Sequence, residues 1–147
     1  MRGCEVVNRD IVLAKMAHIQ KNLARLNEKR GVSSVDFLKD KDIQDIVLLN
    51  LQAAIQGCID TASRIVSDNN WGMPGSMASL FDILCEKDVI SDETRKMMRF
   101  MVGFRNLIVH EYAELDMPKV YAIFNGELGD FHKFLKEINS YIGGSQK

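Results

Sequence analysis

Apolar positions recur along this chain at steps of three and four, and nowhere does a strict alternation last long enough to compete. The pattern predicts an all-α protein. From residue 6 to 29, Val12, Met16, Ile19, Leu23 and Leu26 fall on one side of a helix that Gly31 would terminate. A second helix, over 40–68, carries two stripes. Leu48, Leu51, Ile55, Ile59, Ala62 and Val66 form one, and Val47, Ala54, Gly57 and Thr61 form the other. A helix that is apolar on two sides belongs at the centre of a bundle. Its Asn50 and Asp60 are then expected near buried surface, where a polar group needs a partner. Asp60 is either a supporting residue for a site or a half-exposed surface carboxylate.

The run Asp68-Asn69-Asn70-Trp71-Gly72-Met73-Pro74-Gly75 concentrates turn formers and predicts a connector anchored by Trp71. A phosphate-binding glycine loop is excluded there, because no strand precedes it and no Gly-Lys-Ser/Thr follows. A short helix is expected over 76–87. Ser91-Asp92-Glu93-Thr94 then starts a fourth helix that runs to 112, its first turn acidic as a helix N-terminus favours. Pro118 opens the last helix, whose stripe is Val120, Phe124, Leu128, Phe131, Leu135, Ile138 and Ile142. Residues 1–5 and 143–147 are expected as frayed ends of a single domain spanning 1–147.

Composition narrows the class. At 147 residues, 46% hydrophobic and 27% charged, the chain is sized for one core. No apolar run approaches the ~20 residues that span a bilayer, and the first residues lack a signal-peptide apolar region, so a cytoplasmic protein is expected. The three cysteines, at 4, 58 and 85, form no CxxC pair. Cys58 and Cys85 fall in apolar helical patterns and read as core thiols. A net charge of -1 excludes broad, charge-driven adhesion to nucleic acid, which rests on many Lys/Arg contacts to phosphates. Any RNA contact must be local.

The chemistry is concentrated in the fourth helix, in Arg105-Asn106-Leu107-Ile108-Val109-His110-Glu111-Tyr112. An arginine brings a permanent charge and a fork of donors suited to phosphate oxygens, and a histidine exchanges protons near neutrality. At about 100° per residue, Met98, Met101, Val102, Ile108 and Val109 lie within about 60° of Arg105, which therefore leaves the middle of an apolar face. Tyr112, if the helix continues, falls within about 20° of the same direction. An unpaired buried cation is costly, so Arg105 should meet a carboxylate, a second subunit or an anionic ligand. Beside it, Arg95, Arg99, Asn106 and His110 share an arc of about 60°. They form either a row of phosphate-positioning donors ending at a proton-transfer group or, for Arg95 and Arg99, a solvated face.

Arg105 and His110 nonetheless diverge by about 140° on an ideal helix. Either the arginine side chain wraps toward the histidine, or the helix distorts near Gly103 or at its C-terminal end, or two copies of the helix face each other. Other templates fit poorly. His18 and His132 are remote in sequence, no zinc-ligand histidine spacing occurs, no serine sits in a GxSxG elbow, and nothing local activates Cys58 or Cys85.

Arg105, four intervening residues, His110, one residue and Tyr112 resemble the signature of the HEPN superfamily, specifically its HepT-like toxin branch. The likeness extends to Leu48-Leu49-Asn50-Leu51-Gln52, Cys58-Ile59-Asp60, Met73-Pro74 with Phe81 and Leu84, Val89-Ile90, and Met101 through Asn106, and so covers roughly residues 6–142. The resemblance implies an up-and-down bundle of about five helices, dimerising with its signature helices face to face. It further implies a metal-independent endoribonuclease toxin that needs no cofactor, acting through 2′-hydroxyl attack. Arg105 and His110 would be catalytic and Asn106 supporting. The implied partner is a minimal nucleotidyltransferase antitoxin that transfers AMP to Tyr112. Two alternatives stand beside this reading: a noncatalytic module that binds a nucleotide or substrate for a nucleotidyltransferase, and a purely structural bundle.

Overall fold

The computed structural model describes residues 7–126 and 128–143, and every regular element among them is helical. The elements are α1 (Arg9–Lys29), α2 (Ser34–Lys39), α3 (Lys41–Asp68), α4 (Ser79–Glu86), α5 (Asp92–His110), a 3-10 turn (Tyr112–Glu114), α6 (Met117–Gly126) and α7 (Leu128–Gly143). None of the described helices is long and apolar enough to cross a membrane.

The periodic stripes became the core. Val12, Met16, Ile19, Leu23 and Leu26 are all buried on α1, and both stripes of α3 face inward apart from Gly57, which is half-buried. α3 is the central helix, packed by α1, α2, α4, α5 and α6. It runs antiparallel to α1, since the backbone N–H of Asn8, the N-cap of α1, donates to Asp68 at the end of α3 (3.0 Å). Arg64 holds the same carboxylate at 3.1 Å. The two helices approach closely at Gly57, where an added Cβ would sit 2.6 Å from Cγ1 of Ile19. Asn50 and Thr61, buried polar residues of α3, return their donors to their own helix, at Ile46 O (2.8 Å) and Gly57 O (2.8 Å). Cys58 is buried and its thiol pKa is pushed far up by desolvation, while Cys85 is half-buried. Neither has the environment of a nucleophile.

Four boundaries depart from the sequence expectation. α2 was not anticipated: Ser33 caps it, Phe37 is its one buried residue, and six residues are too few to show a period. The helix expected over 76–87 begins only at Ser79, because Ser76 and Ser79 exchange backbone-to-hydroxyl bonds of 3.0 and 3.1 Å that hold the approach as a turn. The last helix is divided at Gly126, a poor helix former. Asn125 before it gives its carbonyl to Arg30 (2.9 Å), yet every residue of the expected stripe is buried. α5 stops at His110, not 112. Glu111 leaves helical geometry (φ -135°, ψ 39°), and the chain must turn here to enter α6, whose first turn accommodates Pro118. These changes turn the anticipated five helices into seven among the described residues. The expected tails at 1–5 and 144–147, with Cys4, lie outside the described residues, whereas Gly143 ends α7.

The connector behaves as expected. Asn70 and Gly72 adopt positive φ (55° and 108°), and Trp71 between them is half-buried against Tyr141, with ring centroids 6.3 Å apart. The start of α5 is tied to α7: Glu137 accepts from the backbone N–H of Ser91 (2.8 Å) and from the hydroxyls of Ser91 (3.2 Å) and Thr94 (2.9 Å).

Candidate active site

α5 sets the site by its amphipathic character. Thr94, Met98, Met101, Val102, Phe104 and Ile108 are buried, which fixes its rotation and leaves Arg99, Asn106 and His110 along one margin. Arg105 emerges from the buried side yet is itself half-buried. Its Nη1 donates to Oδ1 of Asn106 at 3.1 Å, and its Nε is buried without a partner. No carboxylate meets it among the described residues. The contact turns the guanidinium from its own direction toward that of Asn106, about 100° around the helix and on the His110 side. Arg105 is thus tied to the neighbour that shares His110's margin, and the helix stays regular through Gly103. Asn106 touches Arg105, not His110. His110 is the last residue of α5, exposed and without a protein hydrogen bond among the described residues.

Tyr112 lies beyond the helix end, so its expected alignment with Arg105 is lost. Its phenol instead crosses to the first turns of α3, donating to Oδ1 of Asp45 at 2.5 Å, within the range of a strong O–H to carboxylate bond. This bond, with a smaller contribution from desolvation, raises the phenol's pKa above that of an ordinary tyrosine. The neighbouring carboxylate stabilises the proton on the phenol and opposes a second anion. Asp45 was not singled out in the sequence. It is exposed and 67 residues from its partner, with no local signal to connect the two.

The remaining candidates are placed elsewhere or already engaged. Arg95 pairs with Asp92 (2.8 Å) and Asp82 (3.2 Å), and Arg99 pairs with Asp82 (2.6 Å). The expected row of free phosphate donors is thus in large part an ion-pair network between α4 and α5. Asp82, on the helix that precedes both arginines, is the carboxylate that joins them. Asp60 accepts from Gln56 on its own helix (2.9 Å). It lies fifteen residues, about 22 Å of helical rise, from Asp45, and the structure does not bring it to His110. Below the end of α5, a cleft of about 220 Å³ is lined by Phe104, Leu107, Glu111, Glu114, Leu115, Asp116 and Lys119. Its acidic wall offers little to a phosphate.

One further surface adjoins the site. Phe100 and Leu107, seven residues apart and on one face of α5, are large apolar residues left 43% and 37% exposed. Between Phe100 and Leu107, Gly103 faces open space.

With this geometry in place, a sequence profile of the family described as ribonuclease HepT-like matches residues 19–138. The chain belongs to that family. Among HepT-like relatives it is 34% identical over 131 residues to the mRNA nuclease HepT of Shewanella oneidensis, covering 89% of this chain and 98% of the relative. It is 26% identical to the tRNA nuclease HepT of Aphanizomenon flos-aquae, over 90% of each chain. Among solved structures, it superposes on a tri-AMPylated Shewanella oneidensis HEPN toxin in complex with an MNT antitoxin, with a TM-score of 0.83, 34% identity, and coverage of 89% and 98% of the two chains. A toxin-antitoxin complex with AMP-PNP gives the same TM-score of 0.83 at 33% identity. The HepT-like fold therefore extends over nearly all the described helices.

Proposed function

We propose that this chain is an endoribonuclease toxin, a single HepT-like domain in which Arg105 and His110 of α5 act on a phosphodiester and Asn106 supports Arg105. The observation that carries the reading is the guanidinium of Arg105, half-buried, unpaired by any carboxylate among the described residues, and turned by Asn106 toward the His110 side of the helix. Such a group is held ready for an anion. His110 accepts the proton of a ribose 2′-hydroxyl as that oxygen attacks the adjacent phosphorus, a contribution of ~10²–10⁴-fold. Arg105 stabilises the charge gathering on the phosphoryl oxygens, and the 5′-oxygen leaves. This chemistry asks for charge stabilisation and proton transfer, which these side chains supply without a metal.

One chain supplies one imidazole at the site, while the leaving oxygen needs a proton. A homodimer in which two α5 helices face each other supplies a second, and the exposed Phe100 and Leu107, with the open approach at Gly103 between them, suit such a surface. The similarity to an AMPylated HEPN toxin held by an MNT antitoxin supports a nucleotidyltransferase partner that adenylylates Tyr112. The modification would place a nucleotide and its negative charge two residues from His110.

A second reading, a noncatalytic module that delivers a nucleotide or substrate to the nucleotidyltransferase, draws on the acidic cleft beside α5 and on the ion-paired state of Arg95 and Arg99. The His110→Ala variant decides between them. It should remain helical and dimeric by circular dichroism and light scattering yet lose RNA cleavage. Cleavage equal to that of the unaltered protein would overturn the catalytic assignment.

A further inference from the structure

Adenylylation of Tyr112, the reading on which this inference rests, requires the phenol to lose a proton as its oxygen bonds to phosphorus. The environment of Tyr112 works against a free phenolate, since Asp45 raises the phenol's pKa. A neutral phenol is a weak nucleophile, so the proton has to leave as the new bond forms, and a base must already be in contact with it. Among the described residues the phenol oxygen has one such contact, Oδ1 of Asp45 at 2.5 Å. The carboxylate is exposed on the face of α3, and Tyr112 is 47% exposed, so a nucleotide carried by another protein has access to the pair.

We propose that Asp45 is the proton acceptor for adenylyl transfer to Tyr112. As Oη of Tyr112 attacks the α-phosphorus of a nucleoside triphosphate held by the nucleotidyltransferase, the phenolic proton passes to Oδ1 of Asp45. The Oη–P bond forms, the bond from the α-phosphorus to the bridging oxygen breaks, and pyrophosphate departs. The toxin thus carries part of the machinery for its own inactivation, and the antitoxin need supply only the activated nucleotide. The product has a further consequence for this pair. Adenylylated Tyr112 has no hydroxyl to donate, and its phosphodiester is repelled by Asp45, so the tie between the end of α5 and α3 is broken by the modification.

The test is the rate of adenylyl transfer from ATP and magnesium by the cognate nucleotidyltransferase, read by intact mass and peptide mapping at Tyr112 between pH 6 and pH 9, values chosen to bracket neutrality. Asp45→Asn should lower the rate at pH 7 by roughly 10²-fold. Its rate should climb tenfold per pH unit as the small phenolate fraction grows, because removing the carboxylate lets the phenol ionise more readily. The unaltered protein should show a rate almost flat over the same range. Asp45→Glu, which keeps a carboxylate, should recover most of the rate. Circular dichroism confirms that each variant is folded. Asp45→Asn modified as fast as the unaltered protein, with the same pH profile, would overturn the role of Asp45 alone. An unaltered Tyr112 that receives no AMP would overturn both this role and the antitoxin reading beneath it.

Discussion

The guanidinium of Arg105 is bound sideways to the amide oxygen of its own neighbour, Asn106, at 3.1 Å. Adjacent residues on a helix point about 100° apart, so this bond is made only because the arginine is long enough to bend around the helix. It brings the charge from the buried side of α5 to the margin that ends in His110.

Asn106 should therefore matter through Arg105. Replacing it with alanine removes a hydrogen bond to a charged group, worth about 1.5 kcal/mol or more, and lets the guanidinium relax. RNA cleavage measured as kcat/KM is expected to fall roughly tenfold with no change in helicity. Asn106→Asp should fall further, since a carboxylate at that distance neutralises the charge that the phosphoryl oxygens require. An Asn106→Ala enzyme as fast as the unaltered one would show that the bond has no functional part.

Asp82 restrains two arginines that would otherwise be available to a nucleic acid. The pairs are solvent-exposed in large part, so their loss should cost little stability. Asp82→Asn should nonetheless tighten RNA binding and steepen its salt dependence. Two added single-strand phosphate contacts would change the slope of log K against log salt by about 1.4. Arg99→Ala in the unaltered background should have little effect on RNA affinity. A large loss there would mean that Arg99 leaves Asp82 to hold RNA.

Gly57→Ala probes the packing beneath the site. The new methyl would lie 2.6 Å from Cγ1 of Ile19, a branch carbon of a fully buried side chain and not a flexible tip. Overpacking of this kind typically costs about 1–3 kcal/mol, and urea denaturation should show the unfolding free energy lowered by that amount, as a lower midpoint at an unchanged slope. Ile19→Ala, which removes the clashing Cγ1, should cost less in the Gly57→Ala background than in the unaltered protein.

The core of this protein was legible because it is helical. Val12 through Leu26 on α1 and the two stripes of α3 follow from spacing alone, and each side chain lands where its period puts it. The signature residues were legible for a related reason, since a face of α5 that is apolar everywhere but at Arg105 exposes the exception. What spacing cannot carry is a contact between distant segments. Asp45 meets Tyr112 because α3 and α5 run antiparallel and the chain turns at Glu111, and neither fact is written into the eight residues of the signature. The extension of α5 to 112 failed for the same reason, as the demand of entering α6 overrode local periodicity. Arg95 and Arg99 were judged by their own helix, although their state is decided by Asp82 on the one before.

The carboxylate of Glu137 closes the first turn of α5 from a helix that follows it in the chain. During translation the three groups it accepts from emerge more than forty residues before it, and until it arrives the helix bearing Arg105 and His110 lacks its anchor. The first turn of α5 is thus capped by a group made after the helix itself, and the order of synthesis leaves that cap until α7 has docked.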